Sequence, residues 1–275
     1  MAIQVEDFRY ISELVRNEAA IVLETGKEYL VETRLGPIVT QEGLGDISAL
    51  VKALKENPLL ILRQKVVDAL TTNETSFFRD VEPFDVLREV VLPDLIERRK
   101  AQRKMRIWCA AASTGQELYS IAMIIRENFP ELLNWDLRIQ GTDINQDVLD
   151  KAKSGVYNQM EVNRGLPAKL LIKYFEKEGK LWKIKSELRE MIKFSRLNLI
   201  KPWGFMEKTD IIFVRNVLIY FDRETKQEIF KKMKAIFASD GYLFLGAAET
   251  TLGIDESFQR HAVKKGGCYQ LLSGK

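Results

Sequence analysis

Apolar side chains recur at helical spacing through the first part of the chain. Phe8, Ile11, Leu14 and Val15 share one face, as do Ile47, Leu50, Val51 and Leu54 behind Asp46, a good N-cap residue. A further helix is expected to start at Asn57-Pro58. Asn caps well, and Pro at the first helical position lacks only an N–H that would be unpaired anyway. Leu59, Leu62, Val66 and Leu70 would line its buried side. Residues 1–80 therefore read as a small all-α domain. Residues 81–104 read as a helical linker, kinked near Pro93 and running into the basic stretch Arg98-Arg99-Lys100, Arg103-Lys104 and Arg106.

Beyond the linker the period alternates. Strands are expected at 106–112 and 137–142, with a helix at 115–128 between them and a helix from Asn145 to Lys153 closed by Gly155 after them. That is a βαβ unit, which implies parallel strands with crossover helices. A highly charged segment, 156–192, interrupts the pattern. It resumes with strands at 193–197 and 209–214, a helix at 223–238 capped by Asp222, and a strand at 242–248. A hairpin of 258–264 and 268–272, turning at Gly266-Gly267, ends the chain. Residues 105–275 thus form a doubly wound α/β domain with an antiparallel tail.

Composition narrows the chemistry more than the fold. Among 275 residues there is one histidine, His261, and there are two cysteines, Cys109 and Cys268, so one chain cannot assemble a site needing two histidines or four cysteines. No metal is expected. His261 reads as structural, and Cys109, inside the first strand, as a small packed hydrophobe. Acidic Glu6 and Asp7 at the N-terminus, with no run of about 18 apolar residues anywhere, predict a cytoplasmic protein without membrane insertion. The net charge of +3 is regional: residues 1–80 hold 9 Lys/Arg against 13 Asp/Glu, whereas 164–208 alone hold 12 against 5. A basic patch of that kind attracts nucleic acid, anionic lipid or an acidic protein surface.

In a doubly wound sheet the ligand lies at the carboxyl ends of the strands, near the reversal in strand order. The first strand ends in Ala110-Ala111-Ala112-Ser113-Thr114-Gly115-Gln116-Glu117, small residues that let a ligand approach the backbone, although without GxGxxG. The second ends in Gly141-Thr142-Asp143, where an acid can grip vicinal ribose hydroxyls or, equally, cap the next helix. Together they point to an adenosine-type ligand. Arg215, Asn216 and Tyr220 follow the strand at 209–214. Buried polar groups there must be paired, so Arg215 either meets a ligand or bridges to an internal carboxylate.

Five segments in order, TTNETSFFRD at 71–80, CAAASTGQE through YSIAM at 109–123, TDI through VLDKAKSGVY at 142–157, FSRLNL at 194–199 and VRNVLIYFD at 214–222, resemble the chemotaxis receptor glutamate methyltransferases. The resemblance implies a class I S-adenosylmethionine-dependent methyltransferase domain with a small antiparallel β-subdomain inserted at about 160–192. It implies transfer of a methyl group to glutamates on the methylation helices of chemoreceptors, with S-adenosylhomocysteine as product. It assigns Asn73, Thr75 and Arg79 to the donor from the linker side, Glu117 to its amino end, Asp143 to the ribose, Asn198 and Leu199 to the adenine, and Arg215 and Asn216 to further donor contacts. Arg79 and Tyr220 match the positions facing the transferred methyl and the incoming side chain. Leu118 departs from the family, in which Pro is frequent at the helix start.

Some members of the family dock a receptor tail peptide on the β-subdomain through a Gly-rich loop. Here the turn near Lys177-Glu178-Gly179-Lys180 is shorter, which predicts independence of such a peptide. The family's basic N-terminal docking helix is represented by Lys52, Lys55, Arg63 and Lys65. A monomer is expected. Two other functions share parts of this pattern. A nucleic-acid methyltransferase acting on exocyclic amines would carry an Asn/Asp-Pro-Pro-aromatic motif where this chain has Arg215-Asn216-Val217-Leu218, so no nucleic acid partner is expected. A non-catalytic adenosine-ligand regulator would not need Arg79, Asp143, Asn198 and Tyr220 together.

Overall fold

The computed structural model describes residues 3–56, 60–263 and 266–272. It resolves into two compact units, residues 1–72 with 220–225, and 73–219 with 226–275. In the first, α1 (Val5–Ala19), α2 (Glu28–Gln41), α3 (Ile47–Glu56) and α4 (Leu60–Leu70) enclose a core that includes Ile11, Val15, Val31, Leu35, Leu50, Leu54 and Val66. Asp46 caps α3 as expected, its Oδ1 accepting the Ala49 N–H at 2.8 Å. The expected helix start at Asn57-Pro58 lies outside the described residues. Helix α2 was not foreseen, because Gly36 and Pro37 stand inside it. Pro37 leaves one helical carbonyl without its usual donor, yet Val31, Leu35, Ile38 and Val39 bury one stripe, and that burial outweighs poor local propensity. Arg34 on α2 donates to the carbonyls of Leu70 and Thr71 at 3.0 and 2.8 Å, tying off the end of α4.

The second unit opens with α5 (Glu82–Val86), a π-turn over Leu87–Val91, and α6 (Leu92–Arg99). The expected kink at Pro93 is realised just upstream: the Leu92 N–H reaches back five residues to the Leu87 carbonyl, and Pro93 occupies the first turn of α6, where its missing N–H is harmless. There follow β1 (Lys104–Ala110), α7 (Gln116–Asn128), a 3₁₀ turn, β2 (Asp136–Asp143), α8 (Gln146–Ser154), β3 (Val156–Asn158), α9 (Gln159–Asn163), α10 (Ala168–Tyr174), β4 (Phe175–Glu178), β5 (Leu181–Ile184), α11 (Ser186–Arg189), β6 (Ile192–Arg196) and β7 (Thr209–Val214). A 3₁₀ turn at Leu218–Tyr220, α12 (Arg223–Ile236), β8 (Phe237–Leu245), β9 (Phe258–Val263) and β10 (Gly266–Leu271) follow, Tyr220–Thr225 counting with the first unit and the rest with the second.

The main sheet has the order β6-β2-β1-β7-β8-β10-β9. The first five strands run parallel and the last two antiparallel, so the doubly wound class with an antiparallel tail is what the chain adopts. Strand order reverses between β1 and β7. Both are buried almost throughout, the near-continuous apolar reading of a parallel sheet covered on two faces. The inserted subdomain is not purely β. Its antiparallel sheet, β3-β5-β4, recruits Val156–Asn158 from before the expected insertion and carries α9, α10 and α11. β4 and β5 are joined by two residues, Gly179-Lys180, with Gly179 at φ +62°, as a tight hairpin of primed type demands.

At the amino ends of the central strands lies an ionic cluster that sequence reading did not anticipate. Arg106 donates to Glu207 at 2.9 Å and to the Asp136 carboxylate; Glu207 also pairs with Lys104 and Arg138. Arg99 forks onto Asp210 and Asp240 at 3.0 and 2.6 Å. Hydrogen bonds from Lys104 and Arg106 hold the Glu207 carboxyl down to about 2, and Arg106 and Arg99 likewise lower those of Asp136 and Asp240. Such carboxylates stabilise the fold above their unfolded pKa, about 4, and lose that contribution as pH falls through the folded value. Denaturant midpoints are therefore expected to fall steadily from pH 5 toward pH 2, and Glu207→Gln to flatten that slope. An unchanged slope in the variant would remove Glu207 from the acid response.

Candidate functional site

The parallel register brings the carboxyl ends of β2, β1, β7 and β8 side by side: Ala110 pairs with Thr142 and Val214, and Val214 with Leu245. Strand β1 stops at Ala110, two residues short of the expected strand, because the chain turns sharply. Ala111 and Ser113 take φ of +53° and +49°, and Gly115 takes +90°. A Cβ on Gly115 would lie 2.9 Å from the Ala152 Cβ, so only glycine serves there. The turn presents the Ser113 N–H to Asp143 Oδ2 at 2.8 Å, while the Asn145 N–H donates to Oδ1 at 3.0 Å. Burial pushes the Asp143 carboxyl above its ordinary value, with the backbone N–H groups of Asn145, Ser113 and Ile144 opposing the rise. The helix-capping alternative for Asp143 belongs instead to Asn145, whose Oδ1 accepts from the N–H groups of Asp147 and Val148. Each Asp143 oxygen keeps acceptor capacity toward a ligand.

Asn73 joins this group through its carbonyl, which accepts from Ser113 Oγ at 2.7 Å. Thr75 is half-buried in the same segment, and Arg79 donates to the Glu74 carbonyl at 2.9 Å. The segment is pinned from the insert side, where the carbon of a side chain on Gly165 would fall 2.0 Å from the Phe77 carbonyl oxygen. On the far side of Asp143, the Leu197 N–H donates to its carbonyl at 2.9 Å. That bond places Asn198 and buried Leu199 beside the second strand's end. Lys232 and Trp203 hold the following loop, donating to the Leu199 carbonyl at 2.7 and 3.2 Å.

A second group is built around Arg215, whose side chain is 2% exposed. Nη1 donates to Glu117 Oε2 and Nη2 to Asp80 Oδ2, each at 2.7 Å, and Nη2 also reaches the Arg79 carbonyl at 3.0 Å. The internal-carboxylate reading of Arg215 is thus realised twice over. Its Nε is buried with no hydrogen-bond partner, a donor left for something else. Asn216 follows at φ +58°, and Tyr220 ends the 3₁₀ turn, half-buried. Glu249, absent from the sequence reading, accepts from the N–H groups of residues 216–219. The available signal was an acid shortly after a strand's carboxyl end, the same signal that singled out Asp143. Among the described residues, no cluster of three or more His, Cys, Asp or Glu side chains is placed to hold a metal ion, and no helix is long and apolar enough to cross a membrane.

Residues 73–266 match the family described as CheR methyltransferase, SAM binding domain, and residues 6–71 match CheR methyltransferase, all-alpha domain. The chain belongs to the CheR methyltransferase family. A chemotaxis protein methyltransferase of Pseudomonas aeruginosa is 38% identical over 269 residues, 96% of this chain and 97% of that protein. One from Vibrio parahaemolyticus is 38% identical over 270 residues, 97% of each chain. The Escherichia coli protein is 34% identical over 265 residues, 94% of this chain and 89% of that one. The cofactor of this CheR domain is S-adenosylmethionine, and the residues present fit it. A buried carboxylate with spare acceptor capacity suits vicinal hydroxyls, and the orphaned Arg215 Nε suits an anionic group.

Removing the guanidinium strands Glu117 and Asp80. Arg215→Ala is expected to cost about 3–5 kcal/mol of stability in urea titration, as for other broken buried pairs. A loss below about 1 kcal/mol would show that water replaces the pair at no cost.

Proposed function

We propose that this protein transfers the methyl group of S-adenosylmethionine to glutamate side chains on the methylation helices of chemotaxis receptors, as a cytoplasmic monomeric protein-glutamate O-methyltransferase. What carries the reading is similarity along almost the whole chain, at 37–38% identity, to proteins named chemotaxis protein methyltransferases. The chemistry accords with it. When bound, the donor supplies a sulfonium methyl that is already activated for displacement. A glutamate carboxylate, with an unperturbed pKa near 4.3, is already ionised at pH 7, so no general base is required. The protein's task is alignment.

In this proposal Asp143 accepts from the donor's ribose, Asn198 and Leu199 border the adenine, and Glu117, Arg215, Asn216, Asn73 and Thr75 hold the remainder. Arg215, already neutralised by Glu117 and Asp80, can offer Nε without adding net charge to the site. Arg79 steers the incoming carboxylate. Its contact with the Glu74 carbonyl restrains it, which suits the role, because a tight pair with the nucleophile would weaken its attack. The Tyr220 hydroxyl is a gentler second positioner.

Partner recognition is proposed to rest on the basic insert. Of the N-terminal cations, Lys52 on α3 is paired with Glu56 at 3.8 Å, Lys55 on α3 lies over the Tyr10 ring, and Lys65 on α4 is paired with Glu42 at 2.6 Å, so these two helices offer less unpaired charge than their sequence suggests. The two-residue turn at Gly179-Lys180 supports independence of a receptor tail peptide.

The deciding experiment is transfer of labelled methyl from S-adenosylmethionine to receptor membranes followed by alkaline release of methanol; base-stable label would exclude a carboxyl ester. Tyr220→Phe should keep donor affinity and lose most turnover. Asp143→Ala should weaken donor binding about tenfold or more, in line with a lost charge-assisted hydrogen bond; normal affinity by calorimetry would sink that assignment. In the unsubstituted protein, donor affinity should fall once Asp143 protonates, at a pH above the ordinary aspartate value because its carboxyl is raised. Micromolar binding of a receptor tail peptide would overturn the independence.

A further inference from the structure

Five backbone N–H groups converge on the carboxylate of Glu249. Oε2 accepts from Gly246 at 2.6 Å and Asn216 at 2.8 Å; Oε1 accepts from Leu218 at 2.7 Å, Val217 at 2.9 Å and Ile219 at 3.3 Å. The side chain is almost fully buried, and its own loop closes through the Glu249 N–H to the Gly246 carbonyl at 2.9 Å. Consecutive N–H groups aimed at one point form an anion site, of the kind that elsewhere receives phosphate. Here the anion is built into the chain.

The arrangement leaves little choice of residue on either side. A Cβ on Gly246 would fall 2.7 Å from Glu249 Oε2 and 2.8 Å from the Asn216 nitrogen. Asn216 sits at φ +58°, in the left-handed region that asparagine tolerates better than most non-glycine residues. The bond to Glu249 holds it there. The loops so joined leave two adjacent parallel strands, β7 and β8, at the register Val214 to Leu245.

We propose that Glu249 is a positioning residue for methyl transfer: an internal anion that fixes the backbone between Arg215 and Tyr220. It acts through that backbone and touches neither donor nor acceptor. The inference rests on the function proposed above. Of the proposed donor contacts only Asn216 lies on this loop, whereas Arg215 is anchored independently by Glu117 and Asp80, so loosening the loop should fall on turnover more than on donor affinity.

Glu249→Gln is the informative change, since the amide offers one acceptor oxygen and turns an NH₂ toward N–H donors. We expect kcat to fall between about 10- and 100-fold, the cost of a misplaced reacting group, with donor Kd by calorimetry changed less than about threefold. Amide hydrogen exchange at residues 216–219 should accelerate while β1 stays protected. In Glu249→Ala, which vacates a carboxylate-sized site, added formate should restore both protection and turnover in a saturable manner, whereas chloride at equal ionic strength should not. Should the Ala variant not fold, Glu249→Asp, with charge kept and reach shortened, should show intermediate kcat at unchanged donor Kd.

Native turnover in Glu249→Gln overturns the assignment. So does a parallel loss of kcat and donor affinity in the Gln or Asp variant. Restored protection without restored turnover assigns Glu249 to stability alone. Failure of the unsubstituted protein to form a base-labile methyl ester overturns the reaction instead, and is recognised without any variant.

Discussion

A single buried guanidinium organises the ligand edge of the sheet. Arg215 leaves the carboxyl end of β7 at the reversal in strand order and is out of water, so its charge has to be answered within the protein. Glu117 answers it from the first turn of α7 and Asp80 from the turn that precedes α5. Three segments far apart in sequence therefore have one permitted arrangement. The glycine, alanine and serine turn after β1 and the 73–80 segment take their positions around it. A lysine in its place would bring one point charge where a fork is needed, and could not span both acids in this geometry.

The other polar demands at this edge are met by the same economy. Parallel strands end with backbone groups that the sheet no longer pairs, and an acid is folded over the ends of β1, β2, β7 and β8. Asp143 gathers the N–H groups of Ser113 and Asn145; Glu249 gathers those of the loops after β7 and β8. The two acids differ in what they have left. Asp143 retains acceptor capacity, whereas Glu249 spends its capacity on five donors. One keeps room for a ligand and the other is spent on the protein.

What could be read from sequence follows that distinction between local and distant causes. Asp46, Asn145 and Gly155 act within one turn of their own helix, and their caps stand where the residues say. Both βαβ halves and the antiparallel tail follow from hydrophobic period alone. Helix α2 was hidden because Gly36 and Pro37 oppose it locally, and only burial of Val31, Leu35, Ile38 and Val39 decides in its favour. The insert's helices were hidden because their apolar stripes are short, two positions in α9 and a few among the lysines of α10. Asp143 and Arg215 were legible as polar residues at strand ends, and Asn198 only through the family resemblance. Glu249 offered only its place shortly after a strand's end: its partners are backbone N–H groups that carry no sequence signature, and nothing in a lone Glu after an apolar strand says which loop it will reach. The ionic cluster of Arg99, Arg106, Glu207 and Asp240 joins residues over a hundred positions apart, beyond any local pattern.

That cluster has a practical meaning for the molecule. Strands β1, β2, β7 and β8 carry it at or near their amino ends and leave at the opposite edge, so each of the four has a fastened end and a free end. Lys104, Asp136 and Arg138, about half exposed, lie at the fastened end. A fluorophore or surface tether attached there would be separated from the reacting groups by the full length of β1 or β2, roughly 20 Å at the usual rise per residue. The sheet's own polarity thus provides a handle by which the protein can be held and observed while its other edge stays open to a partner.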